Sequence, residues 1–518
     1  MRIGELIAFI FYFVAMLTIG TVFMLRNKAT NQSGYFLGGR KMGKWVTALS
    51  AQASDMSGWL LMGLPGSILA VGFGELWVAI GLAIGTYLNW LLVAGRLRKF
   101  SQAANDSITI PQYLNNRFKA SGKVLQVIAA TIFFVCFTVY VASGFKAGAA
   151  LFQTVIGLKS EILAMAIFGI IMLAYTFMGG FKAVCWTDFF QALLMLGAIV
   201  FIPVFIACAG LGESGALKVG AITAGNPNYF NLLPSGKLDW ASISAILSGL
   251  AWGLGYCGMP HILVRFMSIK KSSMIRSSRR IATVWVVITL AMAVLIGVVG
   301  KFVSVYLIET QKNSEMVFIE MVRSVFDTGF LTFLSGIFLS AILAAAMSTA
   351  DSQLLVASSA FTCDIYKPIL RKKASEKETM WVARIVTIVI CLIAFAIAAI
   401  PGTGNIMDLV SNAWAGFGAA FGPVIVLSLY WKKFTYKGAI AGMVAGGLTV
   451  ILWIAFKGFG TGLYELFPGF ILGLAACIIG SKLDRKDNTE VEKFFEYAKN
   501  FDEDAAEKQA EQDQQVQA

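Results

Sequence analysis

The stretch SAQASDMSGWLLMGLPG, residues 50–66, decides the fold, because it is a polar, interrupted segment inside an apolar one. Its centre holds Asp55 between two serines, and Gly63, Pro65 and Gly66 follow. Proline and glycine weaken a helix. A loosened backbone is tolerated in a bilayer only where it packs in protein or lines a cavity. The stretch therefore indicates a broken membrane helix beside a polar cavity.

The composition places the chain in a membrane. Of the 518 residues, 58% are hydrophobic and 14% are charged, against about 25% charged in a soluble domain. Apolar runs of about 20 residues recur, the length that crosses about 30 Å of hydrocarbon. We predict an all-α integral membrane protein with thirteen transmembrane spans. Their centres lie near residues 15, 58, 85, 138, 170, 198, 250, 292, 343, 390, 418, 447 and 472.

The net charge of +13 reflects membrane topology and not nucleic-acid binding. Lysine and arginine gather in every second predicted loop. The clusters are residues 96–99, 265–280 (beginning with Arg265), 371–373 and 432–437. This is the positive-inside bias. It predicts a multi-pass protein of the inner or plasma membrane, with its N-terminus outside and its C-terminus in the cytoplasm.

A second interrupted span lies five spans further along the chain. GLAWGLGYCGMPH, residues 249–261, carries four glycines and then Pro260. The two broken spans enter the membrane from opposite faces, so two five-helix units would be related by inversion. Paired interrupted spans at matched positions indicate a transporter's midplane site. For either span alone, close helix packing through glycine is an equally open interpretation.

Charged residues inside spans are functional candidates by default. Asp55 is the clearest, although a buried carboxylate satisfied by nearby backbone is the structural alternative. Asp188 and Asp351 are predicted near cytoplasmic span ends, as caps or gate residues. For Arg40, an inner-gate ion pair and ordinary positive-inside charge are both open. Lys146 is expected to extend its amine toward the interface.

Oxygen atoms near the first break suggest a site for a hard monovalent cation. Ser348 and Thr349 are adjacent hydroxyls in a run of small residues, and Ala345 lies one turn earlier with its carbonyl. A break near Ala53 and Met56 would free further carbonyls, the kind of ligand that hard cations take. The alternative is that the hydroxyls bond carbonyls of their own helix.

A small zwitterionic substrate would need side chains that enclose its apolar part and donors that bind its carboxylate. The N-terminus of a half-helix offers free N–H groups and a positive dipole end. Gly58 lets a ligand approach the backbone. Trp59, Tyr140, Trp252 and Tyr256 are aromatic residues near the breaks, and they could enclose a small apolar ring.

Four long stretches resemble the sodium:solute symporter family. They are LGGRKMGKWVTALSAQASDMSGWLLMGLPG (37–66), AWGLGYCGMPHILVRFM (251–267), LSAILAAAMSTADSQLLVASSA (339–360) and SNAWAGFGAAFGP (411–423). The resemblance extends from about residue 5 to 482 and leaves out only the polar tail.

That resemblance implies a LeuT-type fold, with two inverted five-helix repeats and additional helices. The implied division is 1–36 for the first span and the start of the first loop, 37–211 for the first repeat, 212–431 for the second repeat, 432–482 for two C-terminal spans and 483–518 for a cytoplasmic tail. Within the tail, residues 491–501 are expected to form an amphipathic helix, followed by disorder.

The resemblance also implies roles by position. The sodium-binding residues would be Ala53, Met56, Ala345, Ser348 and Thr349. The residues coupling sodium to substrate would be Asp55, Ser57, Gly58 and Asp188. The substrate pocket would comprise Tyr140, Trp252, Tyr256 and Pro260. Trp59 is added to this pocket because it is an aromatic residue beside the first break. Arg40 and Asp351 are the gating candidates.

The function expected from this resemblance is sodium-coupled import of a small zwitterionic solute by alternating access. The motifs are most similar to those of the family's L-proline carriers. Cys257 and Met259 stand where those carriers are expected to have Phe and Gln, and Asp351 is more typical of the wider family. Another amino acid or pantothenate therefore stays open as the substrate, and a channel is a further alternative. Na⁺ is expected as the co-transported ion, with lipid as the surroundings. An enzyme, a nucleic-acid partner and an obligate protein partner are not expected.

Overall fold

The chain folds as a bundle of long apolar helices. The computed structural model describes residues 2–26, 31–177, 180–213, 225–303, 313–484 and 488–506. Within these ranges eleven helices are long and apolar enough to cross a membrane. They are Ile3–Phe23, Phe73–Ala103, Val124–Ile156, Phe181–Cys208, Trp240–Gly258, Ser272–Val303, Leu331–Leu370, Glu376–Ala399, Ile406–Tyr430, Tyr436–Ala455 and Leu466–Leu483. The prediction of an all-α membrane protein is confirmed.

Two further segments each contain an apolar helix that is shorter than these eleven. One is an interrupted segment, formed by Lys44–Asp55 and the apolar helix Trp59–Val71. The other is the single helix Glu161–Phe177. The predicted span centres near residues 58 and 170 fall on these two segments.

Helix Ile406–Tyr430 shows how the ends of a helix are fixed. Asn405 and Asp408 form a reciprocal capping box at its N-terminus. At its other end, Arg117 Nε donates to the Ser428 carbonyl at 3.0 Å, and Arg96 Nη1 donates to the Leu429 carbonyl at 2.9 Å. Carbonyls in the last turn have no partner inside the helix, so the two guanidinium groups supply one and complement the negative dipole end.

Glycines bring helix backbones into direct contact around the second interrupted span. A Cβ placed on Gly85 would lie 2.3 Å from the Cα of Gly253. One placed on Gly418 would lie 2.8 Å from the Cα of Gly255. These glycines therefore allow close helix packing. The helix is also interrupted here, as described below, so the two interpretations are compatible.

The C-terminal segment packs on one end of the bundle, which we call the Arg40 end. Helix Thr489–Lys499 matches the predicted amphipathic helix, and its Phe494 and Phe495 side chains are buried. Arg117 Nη1 donates to the Val491 carbonyl at 3.3 Å. The apolar face of this helix is therefore covered by protein. Residues 507–518 lie outside the described part of the chain.

Candidate cation and substrate site

The first interrupted segment breaks at Met56 and Ser57. Helix Lys44–Asp55 ends there, and Met56 takes φ −82° and ψ 80°, outside helical values. The Ser57 N–H donates to the Asp55 carbonyl at 3.0 Å instead of continuing the helical pattern to Ala53. The predicted break is confirmed, and it leaves the Ala53 carbonyl available to other donors.

Oxygen atoms from two distant parts of the chain meet at this break. Ser348 Oγ donates to the Ala53 carbonyl at 2.7 Å, and Thr349 Oγ1 donates to the same carbonyl at 3.3 Å. Ser348 Oγ also lies 3.2 Å from the Ala345 carbonyl. Ser348 thus bonds a carbonyl of its own helix, which is one of the two predicted alternatives, and it also bonds the carbonyl left available by the break. The other alternative, a cation site, stays a prediction. Met56 is fully buried beside them.

Asp55 links this oxygen cluster to the aromatic residues. Its Oδ2 accepts a hydrogen bond of 2.7 Å from the Tyr256 hydroxyl. Its backbone carbonyl accepts from Trp59 Nε1 at 3.1 Å and from the Tyr140 hydroxyl at 3.3 Å. Asp55 is fully buried, and among the described residues its Oδ1 has no hydrogen-bond partner. A buried carboxylate oxygen without a donor is costly, which is the condition expected of an atom that meets a ligand.

Gly58 occupies a position with no space for a side chain. A Cβ on Gly58 would lie 2.7 Å from the Ala147 Cβ of helix Val124–Ile156. Its neighbour Ser57 is buried, and Ser57 Oγ accepts from the Trp59 N–H at 3.5 Å, a long contact. Glycine at 58 therefore lets the break lie directly against the helix that carries Tyr140.

The second interruption follows helix Trp240–Gly255. Tyr256–Gly258 form a single 3₁₀ turn, Met259 is extended, and a new helix begins at Pro260. Pro260 occupies the first position of that helix. A proline there costs no helical hydrogen bond, because the N–H of the first residue has no acceptor within the helix. Residues 249–261 are therefore interrupted, as the sequence predicts.

Aromatic rings surround this second break. Trp252 stacks on Tyr464 with ring centres 5.1 Å apart, and Tyr256 meets Trp414 edge to face at 5.1 Å. Trp252 and Tyr256 were predicted pocket residues. Tyr464 and Trp414 were not, since they lie far along the chain and carry no local pattern that singles them out.

Asp188 lies in a buried ion pair. Its Oδ2 accepts from Arg265 Nη2 at 3.1 Å and from Ser50 Oγ at 2.7 Å. Arg265 also donates to Ser352 Oγ and, at 2.7 Å, to the His261 carbonyl. The assignment of Arg265 to a cytoplasmic loop is wrong, because helix Pro260–Ser268 continues past it and buries the whole residue.

The two gating candidates lie in different surroundings. Arg40 is buried and donates to Asp106 Oδ1 at 2.6 Å and to the Met267 carbonyl at 2.7 Å. It thereby joins the loop before the first interrupted segment to the end of helix Pro260–Ser268. Asp351 takes no part in these bonds. It is fully buried beside a small cavity with Tyr175 and Thr187, and neither of its carboxylate oxygens has a hydrogen-bond partner among the described residues.

Asp351 lies inside helix Leu331–Ala360, which continues as a π-helix to Leu370. Because about 20 residues cross a bilayer, this helix extends well beyond one membrane thickness. The position of Asp351 near the cytoplasmic end of the membrane-crossing part stays a prediction.

A cavity of about 920 Å³ opens at the opposite end of the bundle from Arg40. Glu315 lines it and accepts from the Ile406 and Met407 N–H groups, each at 3.4 Å. Burial raises the pKa of the Glu315 carboxyl. Lys146 also lines the cavity, and its amine pairs at 2.9 Å with Glu161, which begins the next helix and is 48% exposed. Sequence reasoning missed Glu315, which lies in a short 3₁₀ turn.

Comparison of the whole fold finds solved structures that share it. A Na⁺-coupled sialic acid symporter, solved in a substrate-bound outward-open state, matches with a TM-score of 0.75 and 20% identity, over 93% of this chain and 98% of that one. MhsT in complex with L-phenylalanine matches with a TM-score of 0.54 and 16% identity, over 85% of this chain and 99% of that one. At these identities the likeness establishes the fold alone.

Comparison of the sequence is more specific. The chain is 44% identical to the sodium/proline symporter of Escherichia coli strain K12, over 95% of both chains. It is 43% identical to the osmoregulated proline transporter OpuE of Bacillus subtilis strain 168, over 94% of this chain and 96% of that one. The profile of the sodium:solute symporter family matches residues 35–446, which include both breaks and the oxygen cluster between them. By this match and these relatives, the chain belongs to the sodium:solute symporter family.

Proposed function

We propose that the protein is a sodium-coupled symporter that imports L-proline by alternating access. The observation that carries the proposal is the meeting of the two breaks. The Tyr256 hydroxyl binds the Asp55 carboxylate at 2.7 Å, and the Ser348 and Thr349 hydroxyls lie 2.7 and 3.3 Å from the Ala53 carbonyl, two residues before Asp55. The relatives named as proline transporters support L-proline as the solute.

The proposed sodium ligands are the carbonyls of Ala53, Met56 and Ala345 and the hydroxyls of Ser348 and Thr349. All five are neutral oxygens, which suit a monovalent hard ion because they compensate its lost hydration without adding several negative charges. The hydroxyl protons that now point at the Ala53 carbonyl would rotate away when an ion binds, since a hydroxyl oxygen has lone pairs as well as a proton.

The proposed substrate pocket adjoins this site across Asp55. Trp59, Tyr140, Trp252, Tyr256 and Pro260 form its walls in the proposal. A pyrrolidine ring is small and apolar, so it suits an aromatic enclosure. The free Oδ1 of Asp55 is placed to meet a cationic group, and Gly58 gives the ligand access to backbone N–H groups for its carboxylate.

The coupling between the two ligands is assigned to Asp55, Ser57, Gly58 and Asp188. A ligand shifts a conformational equilibrium only through its different affinity for the two states. Sodium at the break would fix the backbone on which the pocket is built. By linkage, proline must then raise the affinity for sodium by the same factor. Arg40 and Asp351 are proposed to act at the inner gate.

The proposed topology has thirteen spans, with the interrupted segments as the second and the seventh. Two inverted repeats, 37–211 and 212–431, follow an N-terminal span within 1–36. Two C-terminal spans occupy 432–482, and 483–518 form a cytoplasmic tail. The interruption of two segments five spans apart supports the repeats. The positive-inside bias supports an outer N-terminus in the cell membrane, with the Arg40 end in the cytoplasm.

The driving force is sufficient for accumulation. One positive charge moving through 100 mV releases about 2.3 kcal/mol. A tenfold sodium gradient adds about 1.4 kcal/mol. At one sodium per proline, the sum supports a roughly several-hundredfold accumulation of proline.

Uptake of radiolabelled L-proline into proteoliposomes tests the proposal. We expect uptake only with an inward sodium gradient, with saturation and with concentration above the external level. A panel of unlabelled amino acids and pantothenate should compete less well than proline. Proline uptake that is the same without a sodium gradient would overturn the coupling. Stronger competition by another solute would overturn the assignment of L-proline as the substrate.

A further inference from the structure

The second break leaves backbone carbonyls in need of donors. Carbonyls in the last turn of helix Trp240–Gly255 lie where helical partners run out, and the 3₁₀ turn at Tyr256–Gly258 does not restore the pattern. Trp252 and Tyr256 are buried, so an unpaired carbonyl at either residue would destabilise the break. Two side chains from other helices bond carbonyls at this point.

Trp414 provides the first of these bonds. Its indole Nε1 donates to the Trp252 carbonyl at 2.9 Å. The residue is fully buried in helix Ile406–Tyr430, and its ring meets the Tyr256 ring edge to face at 5.1 Å. A Cβ on Gly255 would lie 2.0 Å from that same indole nitrogen, so glycine at 255 is what lets the indole reach the backbone.

Asn89 provides the second bond, from a different helix. Its Nδ2 donates to the Tyr256 carbonyl at 3.0 Å. The other donor to this carbonyl is the Met259 N–H, at a longer 3.4 Å. Only the amide nitrogen of Asn89 can face a carbonyl oxygen as a donor, so the orientation of this side chain is fixed by its partner.

Between these two bonds lies Tyr256, whose hydroxyl binds the carboxylate of Asp55. Trp414 fixes the turn before it and the face of its ring, and Asn89 fixes its carbonyl. We propose that Trp414 and Asn89 are positioning residues that hold the second break in the shape that points Tyr256 at Asp55. This inference rests on the proposed function, since it assigns them to the geometry of the proline pocket.

Removing the Trp414 indole N–H takes the side-chain donor from the Trp252 carbonyl. Removing the Asn89 amide leaves the Tyr256 carbonyl with the longer 3.4 Å bond from the Met259 N–H. In either case the turn can relax toward another partner. Tyr256 then spends less time against Asp55, and the pocket binds proline less well. We expect Trp414→Phe, which keeps a ring and removes the N–H, to raise the half-saturating proline concentration about tenfold with little change in maximal rate. Asn89→Leu should act in the same direction.

A matched control comes from Trp90. This tryptophan is as buried as Trp414, but its indole nitrogen has no hydrogen-bond partner among the described residues. Trp90→Phe therefore removes an N–H without freeing a carbonyl, and it should leave the half-saturating proline concentration within about twofold of the wild type.

The test measures sodium-dependent proline uptake for these variants in the full-length protein, alone and combined with Tyr256→Phe. If both residues act through Tyr256, Trp414→Phe should add little once the Tyr256 hydroxyl is gone. Purely structural damage would add its full effect in both backgrounds, and that result would overturn the inference. A wild-type half-saturation in Trp414→Phe and Asn89→Leu would overturn it as well. Absence of sodium-dependent proline uptake by the wild type is a separate outcome, which overturns the proposed function and this inference with it.

Discussion

The Tyr256 hydroxyl donates a 2.7 Å hydrogen bond to Asp55 Oδ2, and this bond joins the two interrupted segments at their breaks. Because each break lies between two half-helices, the bond connects four pieces of the bundle at a single point. The Ala53 carbonyl, bonded by Ser348 and Thr349, lies two residues before Asp55, and the Asp55 carbonyl accepts from Trp59 and Tyr140. A change in the backbone at one break would therefore alter the geometry at the other. A coupled carrier requires such a connection between its two binding sites.

Asp55→Asn should lower sodium-dependent proline uptake by about a hundredfold, near the upper end of a coupling free energy of 1–3 kcal/mol. The amide keeps the shape of the carboxylate and can still accept from Tyr256, but it loses the negative charge. Uptake in proteoliposomes is the measurement, with reconstituted protein quantified to show that the variant inserts. Sodium-stimulated uptake at the wild-type level would remove Asp55 from the mechanism.

Ser348→Ala combined with Thr349→Ala should raise the half-saturating sodium concentration at least about tenfold, since each hydroxyl bond is worth roughly 1 kcal/mol or more. Maximal uptake at saturating sodium should fall less. Ser340→Ala is the control, because Ser340 lies in the same helix and its hydroxyl donates to the Gly336 carbonyl of that helix at 2.7 Å. Equal sodium dependence in the double variant and the control would defeat the assignment of the hydroxyls.

Gly58→Ala should reduce uptake about tenfold, because the added methyl would lie 2.7 Å from the Ala147 Cβ and overpacking costs about 1–3 kcal/mol. Adding Ala147→Gly should restore much of the activity by vacating that space. Gly197→Ala is the control, since a Cβ there meets no atom within 4 Å. If Ala147→Gly fails to rescue uptake, the contact with helix Val124–Ile156 is not the reason for glycine at 58.

Arg265→Gln should destabilise the protein by about 3–5 kcal/mol, because it leaves the Asp188 carboxylate buried without its cation. Adding Asp188→Asn should recover much of that loss. Lys367→Gln is the control, since it removes an ion pair with Glu376 whose side chains are 34% and 44% exposed and should cost under about 1 kcal/mol. Thermal unfolding in detergent measures all three. A double variant no more stable than Arg265→Gln would contradict the pairing.

The interruptions were predictable because their signals are local. Glycine, proline and serine in the middle of a span weaken the helix whatever its tertiary contacts are. The break at Met56 could therefore be placed to within a few residues. Ser348 and Thr349 were also accessible, since adjacent hydroxyls in a run of alanines stand out. The residues alone suggested a shared cation site with the carbonyls freed near Ala53, and the family resemblance implied the same grouping.

The partners that complete the site were not predictable in the same way. Asn89 and Tyr256 are separated by 167 residues, and Trp414 and Trp252 by 162. A single asparagine or tryptophan in an apolar span has no pattern to distinguish it from packing. Arg265 was misplaced for a related reason. The positive-inside bias counts charges along the chain, and it cannot tell a loop arginine from one that turns inward to an aspartate.

The most direct test of the central claim measures binding in both directions on the purified protein. Proline affinity is determined across a series of sodium concentrations, and sodium affinity across a series of proline concentrations. Two adjoining sites at the joined breaks predict that each ligand tightens the other by the same factor, and that Asp55→Asn lowers that factor. Proline binding that is unaffected by sodium would contradict the account.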